Sequence, residues 1–158
     1  MPVRFRYGLP PTIMTQATKQ QISYLKKHLR YTIKEQPRFA ILAKRLLDIG
    51  GLQVVPLKEE DLESLIERGR VLDGRKAERV RGLPCRCHGN VCNIYENSSG
   101  IIRIMTGWAL SKDGLWRQHS WGFNTQSNRV VETTARRTKY YGFELTDEES
   151  DQFVLDNP

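Results

Sequence analysis

All three cysteines of the chain fall within eight residues, Cys85-Arg86-Cys87-His88-Gly89-Asn90-Val91-Cys92, and two later stretches answer them. Trp116-Arg117-Gln118-His119-Ser120-Trp121 supplies an imidazole, and Val130-Val131-Glu132-Thr133-Thr134 supplies a carboxylate. A thiol, a ring base and an acid are the parts of nucleophilic catalysis. The thiolate attacks a carbonyl, the imidazole takes and returns a proton, and the acid holds the imidazole in one tautomer. Cys87 is the expected nucleophile. It falls in the first turn of a helix predicted over 87–97, where the macrodipole favours a thiolate and backbone N–H groups are free. Cys92 points about 140° away around such a helix. Cys85 precedes the turn, and both read as small inert thiols. His88 diverges from Cys87 by about 100° and is expected to pack or polarise the site rather than act as its base.

Strand alternation over 115–123 puts Leu115, Arg117, His119, Trp121 and Phe123 on one face. Bulky neighbours then desolvate His119, which favours its neutral form. Glu132 is out of character in a run of Val and Thr. It reads either as the acid that orients His119 or as an edge-strand carboxylate facing water.

Cys87-His88-Gly89-Asn90 opening a helix, His119-Ser120-Trp121 on a strand and Val131-Glu132-Thr133-Thr134 on the next resemble the papain/transglutaminase-like cysteine hydrolases. The likeness spans residues 85–143 and is shared by small bacterial and phage proteins with Cys-His-x-Asn and Gly-Trp-Ala-Leu segments. It implies an α+β fold with a papain-like core, made of one Cys-bearing helix and a small antiparallel sheet. It implies a Cys87, His119, Glu132 triad performing acyl transfer on a peptide, amide or small-molecule acyl substrate, with no metal or organic cofactor. Asn90 and His88 then position the substrate or its oxyanion, and Trp108, Trp116 and Trp121 wall the cleft. Two residues depart from the pattern: Glu132 stands where Asp is usual, and no glutamine precedes Cys87.

Two other classes compete. Cys85, Cys87, His88 and Cys92 are zinc-ligand types, although structural zinc sites usually join two separated pairs, and a helix from Cys87 splays these four. A binding module on an inactive hydrolase-like scaffold, holding nucleic acid or protein, is the third class.

The elements that must position these residues differ between the halves. Ile22, Leu25, Leu29 and Ile33 predict a helix from Thr15, with His28 as an ordinary boundary residue. Pro37 opens a second helix lined by Phe39, Leu42, Ala43, Leu46 and Leu47, and Gly50-Gly51 stops it. Residues 52–55 read as extended. Pro56 begins a third helix with early acids that Gly69 ends, and 73–81 a short charged helix closed by Gly82. After Pro84, strands are expected over 101–110, 115–123 and 128–134, the first two joined by the Asp113-Gly114 turn, with Tyr140, Tyr141 and Phe143 ending the sheet. The organisation expected is a helical extension over 1–83 that begins with a Pro-rich arm, a core over 84–145, and an acidic tail over 146–158.

With 158 residues, 39% hydrophobic, the chain can bury a sizeable core. No apolar run approaches the roughly 20 residues that span a bilayer. The odd cysteine count and the absence of an apolar stretch after Met1 suggest a reducing cytoplasm. The net charge of +7 is lopsided: residues 1–84 hold 17 Lys and Arg against 9 acids, and 144–158 hold six acids and no base. The basic half is either a set of solvated helix faces or a contact for nucleic acid or another polyanion.

Overall fold

Thr18 starts the ordered helical part by accepting the backbone N–H of Gln21, while Gln21 accepts that of Thr18, a reciprocal capping box. This sets helix α1 at Lys19–Glu35, four residues later than the apolar period alone predicts. The computed structural model describes residues 15–158, so the expected arm over 1–14 lies outside the described residues. Helix α2 (Phe39–Ile49) buries Phe39, Leu42, Ala43 and Leu46, the stripe read from the sequence. Strand β1 (Gln53–Val54) follows.

The third helix does not begin at Pro56. Gln36 exchanges two hydrogen bonds with the backbone of Glu59, at 2.9 Å each, and this pins 56–61 as a loop. Helix α3 is therefore the short Leu62–Arg68. No helix forms over 73–81 either. Arg70–Asp73 is strand β2 and Glu78–Arg79 is strand β3. The turn between them is held by Asp73 accepting the Arg75 N–H and by Gly74 donating to the Thr138 carbonyl. A Cβ at Gly74 would collide with the Arg137 carbonyl oxygen, so the charged run is shaped by a close backbone approach and not by helix propensity.

Helix α4 (Cys87–Glu96) leads into strands β4 (Ile102–Leu110), β5 (Leu115–Asn124), β6 (Arg129–Glu132) and β7 (Lys139–Glu144). The sheet runs β2-β7-β4-β5-β6-β3, with β1 added beside β5. The pairings β1·β5 and β3·β6 are parallel and the others antiparallel. The protein is thus mixed α+β, but its sheet is larger than the small antiparallel one expected. Three of the seven strands come from the first half.

Residues 146–158 are not a free acidic tail. Thr146 and Glu149 form a second capping box and start helix α5 (Asp147–Asp156), whose first-turn acids suit the positive helix end. Arg103 bonds Asp147 and Arg68 bonds Glu149, each at 2.7 Å, tying α5 to the core.

The sheet separates two apolar clusters. Ile104, Trp108, Leu110 and Trp116 pack on one face against Phe39, Leu42, Leu65 and Val91 of the helices. Met105, Ala109, Trp121, Phe123, Val130 and Tyr140 pack together on the other. One edge of β5 is only partly paired. β1 pairs with its start, at Leu115 and Trp116, and β6 with its end, from Gly122 to Asn124. Residues 117–121 are left without a strand partner on that edge, and the start of α4 packs there.

Candidate active site

Cys87 is the first residue of α4. The residue before it, Arg86, makes no side-chain cap, and Cys85 takes a left-handed φ of 57° to turn the chain in. The first intrahelical bond runs from the Asn90 N–H to the Arg86 carbonyl at 2.9 Å. The N–H groups of Cys87, His88 and Gly89 therefore have no acceptor within the helix. The thiol of this first turn is half-buried.

His119 lies mid-way along β5, opposite Gly107 of β4, which is in turn opposite Gly142 of β7. The two glycines let β4 and β7 approach closely in that row, since a Cβ on Gly107 would meet the Tyr141 carbonyl and one on Gly142 the Thr106 carbonyl. His119 is 3% exposed, and its Nε2 sits 3.0 and 2.9 Å from Oε1 and Oε2 of Glu132. Nδ1 is then the nitrogen left for the thiol. Glu132 is wholly buried. Besides the imidazole it accepts the Tyr140 hydroxyl at 2.6 Å, the Thr134 N–H at 3.0 Å and the Thr134 hydroxyl at 2.9 Å. Each carboxylate oxygen has at least two partners, so a buried charge is well satisfied here. Trp121 and Tyr140 cover the pair, their rings stacked 6.1 and 6.3 Å from the imidazole centre.

These contacts fix the charge states. Burial alone would raise the Cys87 thiol, but hydrogen bonding and charge from His119 and then His88 outweigh it and hold the pKa at about 5. Burial pushes His119 down, while Cys87 and Glu132 push it up more strongly, so its pKa is raised. Desolvation was expected to keep this ring neutral; two acidic neighbours reverse that. Burial likewise pushes Glu132 up, and His119, Tyr140 and the Thr134 N–H bring it down to about 2. The thiol and the carboxyl are lowered and the imidazole is raised, so each shift favours the charged form: thiolate, imidazolium and carboxylate. Cys92 is the opposite case, buried, with its thiol raised to about 11 by burial and by Glu96.

His88 adjoins the thiol and helps to lower it, the polarising part expected of it. Its Nδ1 is 2.7 Å from the Ser120 hydroxyl, which is 2.9 Å from the Thr106 hydroxyl, and its ring meets Phe153 of α5 edge-on at 5.5 Å. It flanks the thiol from the face of β5 opposite His119. Asn90 is not at the thiol: its Oδ1 accepts the Leu83 N–H at 3.0 Å and its Nδ2 donates to the Leu83 carbonyl at 2.8 Å. Both ends of the amide are spent on fixing the approach to α4. Trp108 and Trp116 are wholly buried, donating to Glu59 Oε2 at 2.8 Å and to the Gly50 carbonyl at 2.9 Å. With Trp121 they hold the scaffold and do not wall a cleft. The four candidate zinc ligands do not converge. Cys92 faces the Phe153 carbonyl at 4.0 Å, Cys85 is exposed, and among the described residues no three such side chains form a metal-holding group.

Tyr140, Thr134, Ser120 and Thr106 are site residues that the sequence motifs do not single out. Thr134 stands in its motif as a bystander, and Tyr140 as a strand end. Compared with protein families, with curated proteins and with solved structures, the chain matches none.

Proposed function

We propose that the protein is a cysteine-dependent acyl-transfer enzyme acting on an amide or thioester, with Cys87, His119 and Glu132 as its triad and a papain-like arrangement of helix-borne thiol and strand-borne base. One observation carries this reading: a half-buried thiol of pKa about 5 beside an imidazole whose Nε2 is committed to a buried carboxylate. The Cys87 thiolate attacks the carbonyl carbon, and a C–S bond forms as the carbonyl oxygen becomes an oxyanion. The free N–H groups of the first turn of α4 stabilise that charge. Protonated His119 gives its proton to the departing amine or thiolate, leaving an acyl-enzyme. Neutral His119 then takes a proton from the attacking water or amine, and the thiolate is regenerated. Incubation with a small thioester, read by intact mass, tests this. The expected result is an acyl adduct on Cys87 that turns over, is absent in Cys87→Ala and slow in His119→Ala. A thiol that titrates in the ordinary range and forms no adduct refutes it.

A second reading is favoured by α1. Tyr24 and Tyr31, 62% and 56% exposed, flank His28 on a helix that carries Lys26, Lys27, Arg30 and Lys34. Basic side chains beside exposed rings suit a polyanion with stackable bases. Salt-dependent binding of single-stranded nucleic acid, unchanged by Cys87→Ala, is its signature.

A further inference from the structure

A cleft of about 480 Å³ is lined by His119 and His88, the two imidazoles that act on the Cys87 thiol. Its floor is apolar, with Phe143, Leu145 and Phe153. Its rim is acidic, with Glu59, Glu60, Asp61, Glu149 and Asp156 against one base, Lys58. Two of those charges are already answered, since Lys58 pairs with Glu60 at 3.3 Å and Arg68 with Glu149 at 2.7 Å. Glu59, Asp61 and Asp156 form no salt bridge among the described residues, and Arg68 acts on Asp61 only from farther off.

Glu59 is the informative one. It is 6% exposed, lines the cleft, and is held only by neutral donors: Trp108 Nε1, Gln118 Nε2 and the Asp61 N–H. Burial raises the Glu59 carboxyl, so with no counter-cation it either takes a proton or is completed by a positive group entering the cleft. Gln118 gives both its amide hydrogens away, to the Lys58 carbonyl at 2.9 Å and to Glu59 at 3.1 Å, so the atom it has left to offer is an acceptor. The cleft therefore presents acceptors and negative charge above an apolar floor.

We propose that this cleft holds a lysine- or arginine-like side chain of the acyl substrate, its alkyl stem on Phe143 and Phe153 and its cationic head on Glu59, Asp61 and Asp156. This rests on the acyl-transfer reading and names its substrate class. An alkyl stem ending in a cation matches a floor and rim of these two kinds, since long basic side chains bury the stem and keep the head among polar groups. A second groove borders α4 on its other side, lined by Arg81, Arg86, Asn90 and Thr133, and would favour the opposite charge.

Three methanethiosulfonates of equal reactivity type separate the two entrances: aminoethyl (cationic), sulfonatoethyl (anionic) and methyl (neutral). Each forms a disulfide with the Cys87 thiolate and releases methanesulfinate. The full chain is labelled at pH 6.5, the site is located by peptide mass spectrometry, and each rate is divided by that of a small free thiol. The expected cation-to-anion ratio is about tenfold or more above the small-thiol ratio, declining with salt. Asp61→Asn with Asp156→Asn returns it toward the small-thiol value. A normalised ratio of one, or one that the double variant leaves untouched, overturns the proposal. A preference for the anion also overturns it and moves the entrance to the Arg81 side. Should Cys87 react with none of the three faster than a free thiol, the acyl-transfer reading itself falls, and this inference with it.

Discussion

Glu132 holds His119 by one nitrogen, with Nε2 between its two carboxylate oxygens at 3.0 and 2.9 Å, and both side chains are buried. That contact leaves Nδ1 for the thiol and, with Cys87, raises the imidazole. Glu132→Gln keeps the shape and removes the charge. It is expected to slow the proposed acyl transfer by about 10³ to 10⁴, the scale seen when an orienting acid becomes an amide. Because a buried imidazolium loses its partner, unfolding free energy should also fall by about 3–5 kcal/mol. Thermal melts and single-turnover rates separate the two effects.

The thiol sets the acid side of any pH profile. With the Cys87 pKa at about 5, alkylation by iodoacetamide should rise through that value and stay level to neutrality, since the reacting thiolate is lost only below it. His119→Ala removes the larger of the two imidazole influences, so the inflection should move up toward the ordinary range. His88→Ala should move it in the same direction by less. Stopped alkylation with mass read-out at pH 4–9 checks both.

His88 owes its position to a hydroxyl relay, Ser120 at 2.7 Å and Thr106 a further 2.9 Å away. Ser120→Ala leaves a wholly buried site with the Thr106 hydroxyl deprived of a partner, a loss of about 1–3 kcal/mol. Ser120→Thr should retain the hydroxyl yet crowd the ring. Urea midpoints, and the thiol inflection as a local probe, distinguish lost stability from lost orientation.

Three groups make stability depend on pH, and Cys87, lowered to about 5, adds a contribution that is full above the ordinary thiol range and lost as pH falls toward that value. Glu132 titrates lower in the fold than in the open chain, so its contribution is full above the ordinary carboxylate range and disappears as pH falls toward about 2. His119 titrates higher in the fold, so its contribution is full below about 6.5 and is lost as pH rises through the raised value. Denaturant titrations of the parent and of Glu132→Gln should show the acid-side difference vanish as pH falls toward about 2.

Gly107 and Gly142 face each other where β4 meets β7, in the row that holds His119. A Cβ on Gly107 would drive into the Tyr141 carbonyl oxygen and the Gly142 Cα. Gly107→Ala should therefore push β7 outward and carry Tyr140 off Glu132, lowering both melting temperature and Cys87 reactivity. Gly100→Ala, where a Cβ meets open space, serves as the comparison: its φ of 84° strains only a surface turn.

Long periodic stretches were legible in the chain itself. The β4–β5 hairpin follows from two alternating runs and Asp113-Gly114, and α2 follows from its stripe of Phe39, Leu42, Ala43 and Leu46. The two-residue strands β1 and β3 were harder. Their partners lie some 50 to 60 residues away and run parallel, so no local turn announces them. For 73–81 the charges suggested a helix, whereas the deciding force was a backbone approach at Gly74 that no local pattern encodes. The acids after Thr146 read as a tail because the Thr146–Glu149 capping box was not recognised in the sequence and their arginine partners lie on α3 and β4. At the site, residue types pointed to Cys87, His119 and Glu132. The partners of Asn90 and the tryptophans depended on where distant backbone carbonyls and Glu59 ended up.

Cys87, His119 and Glu132 sit on one helix and two strands that meet only when the sheet is complete. Most proteins shield a cysteine by folding and surrender it on denaturation. Here the relation is inverted: an open chain carries an ordinary thiol, of which less than about 1% is ionised at pH 6, whereas the assembled molecule carries it mostly as thiolate. Folding arms the sulfur, so a nascent or damaged copy of the chain is chemically quiet.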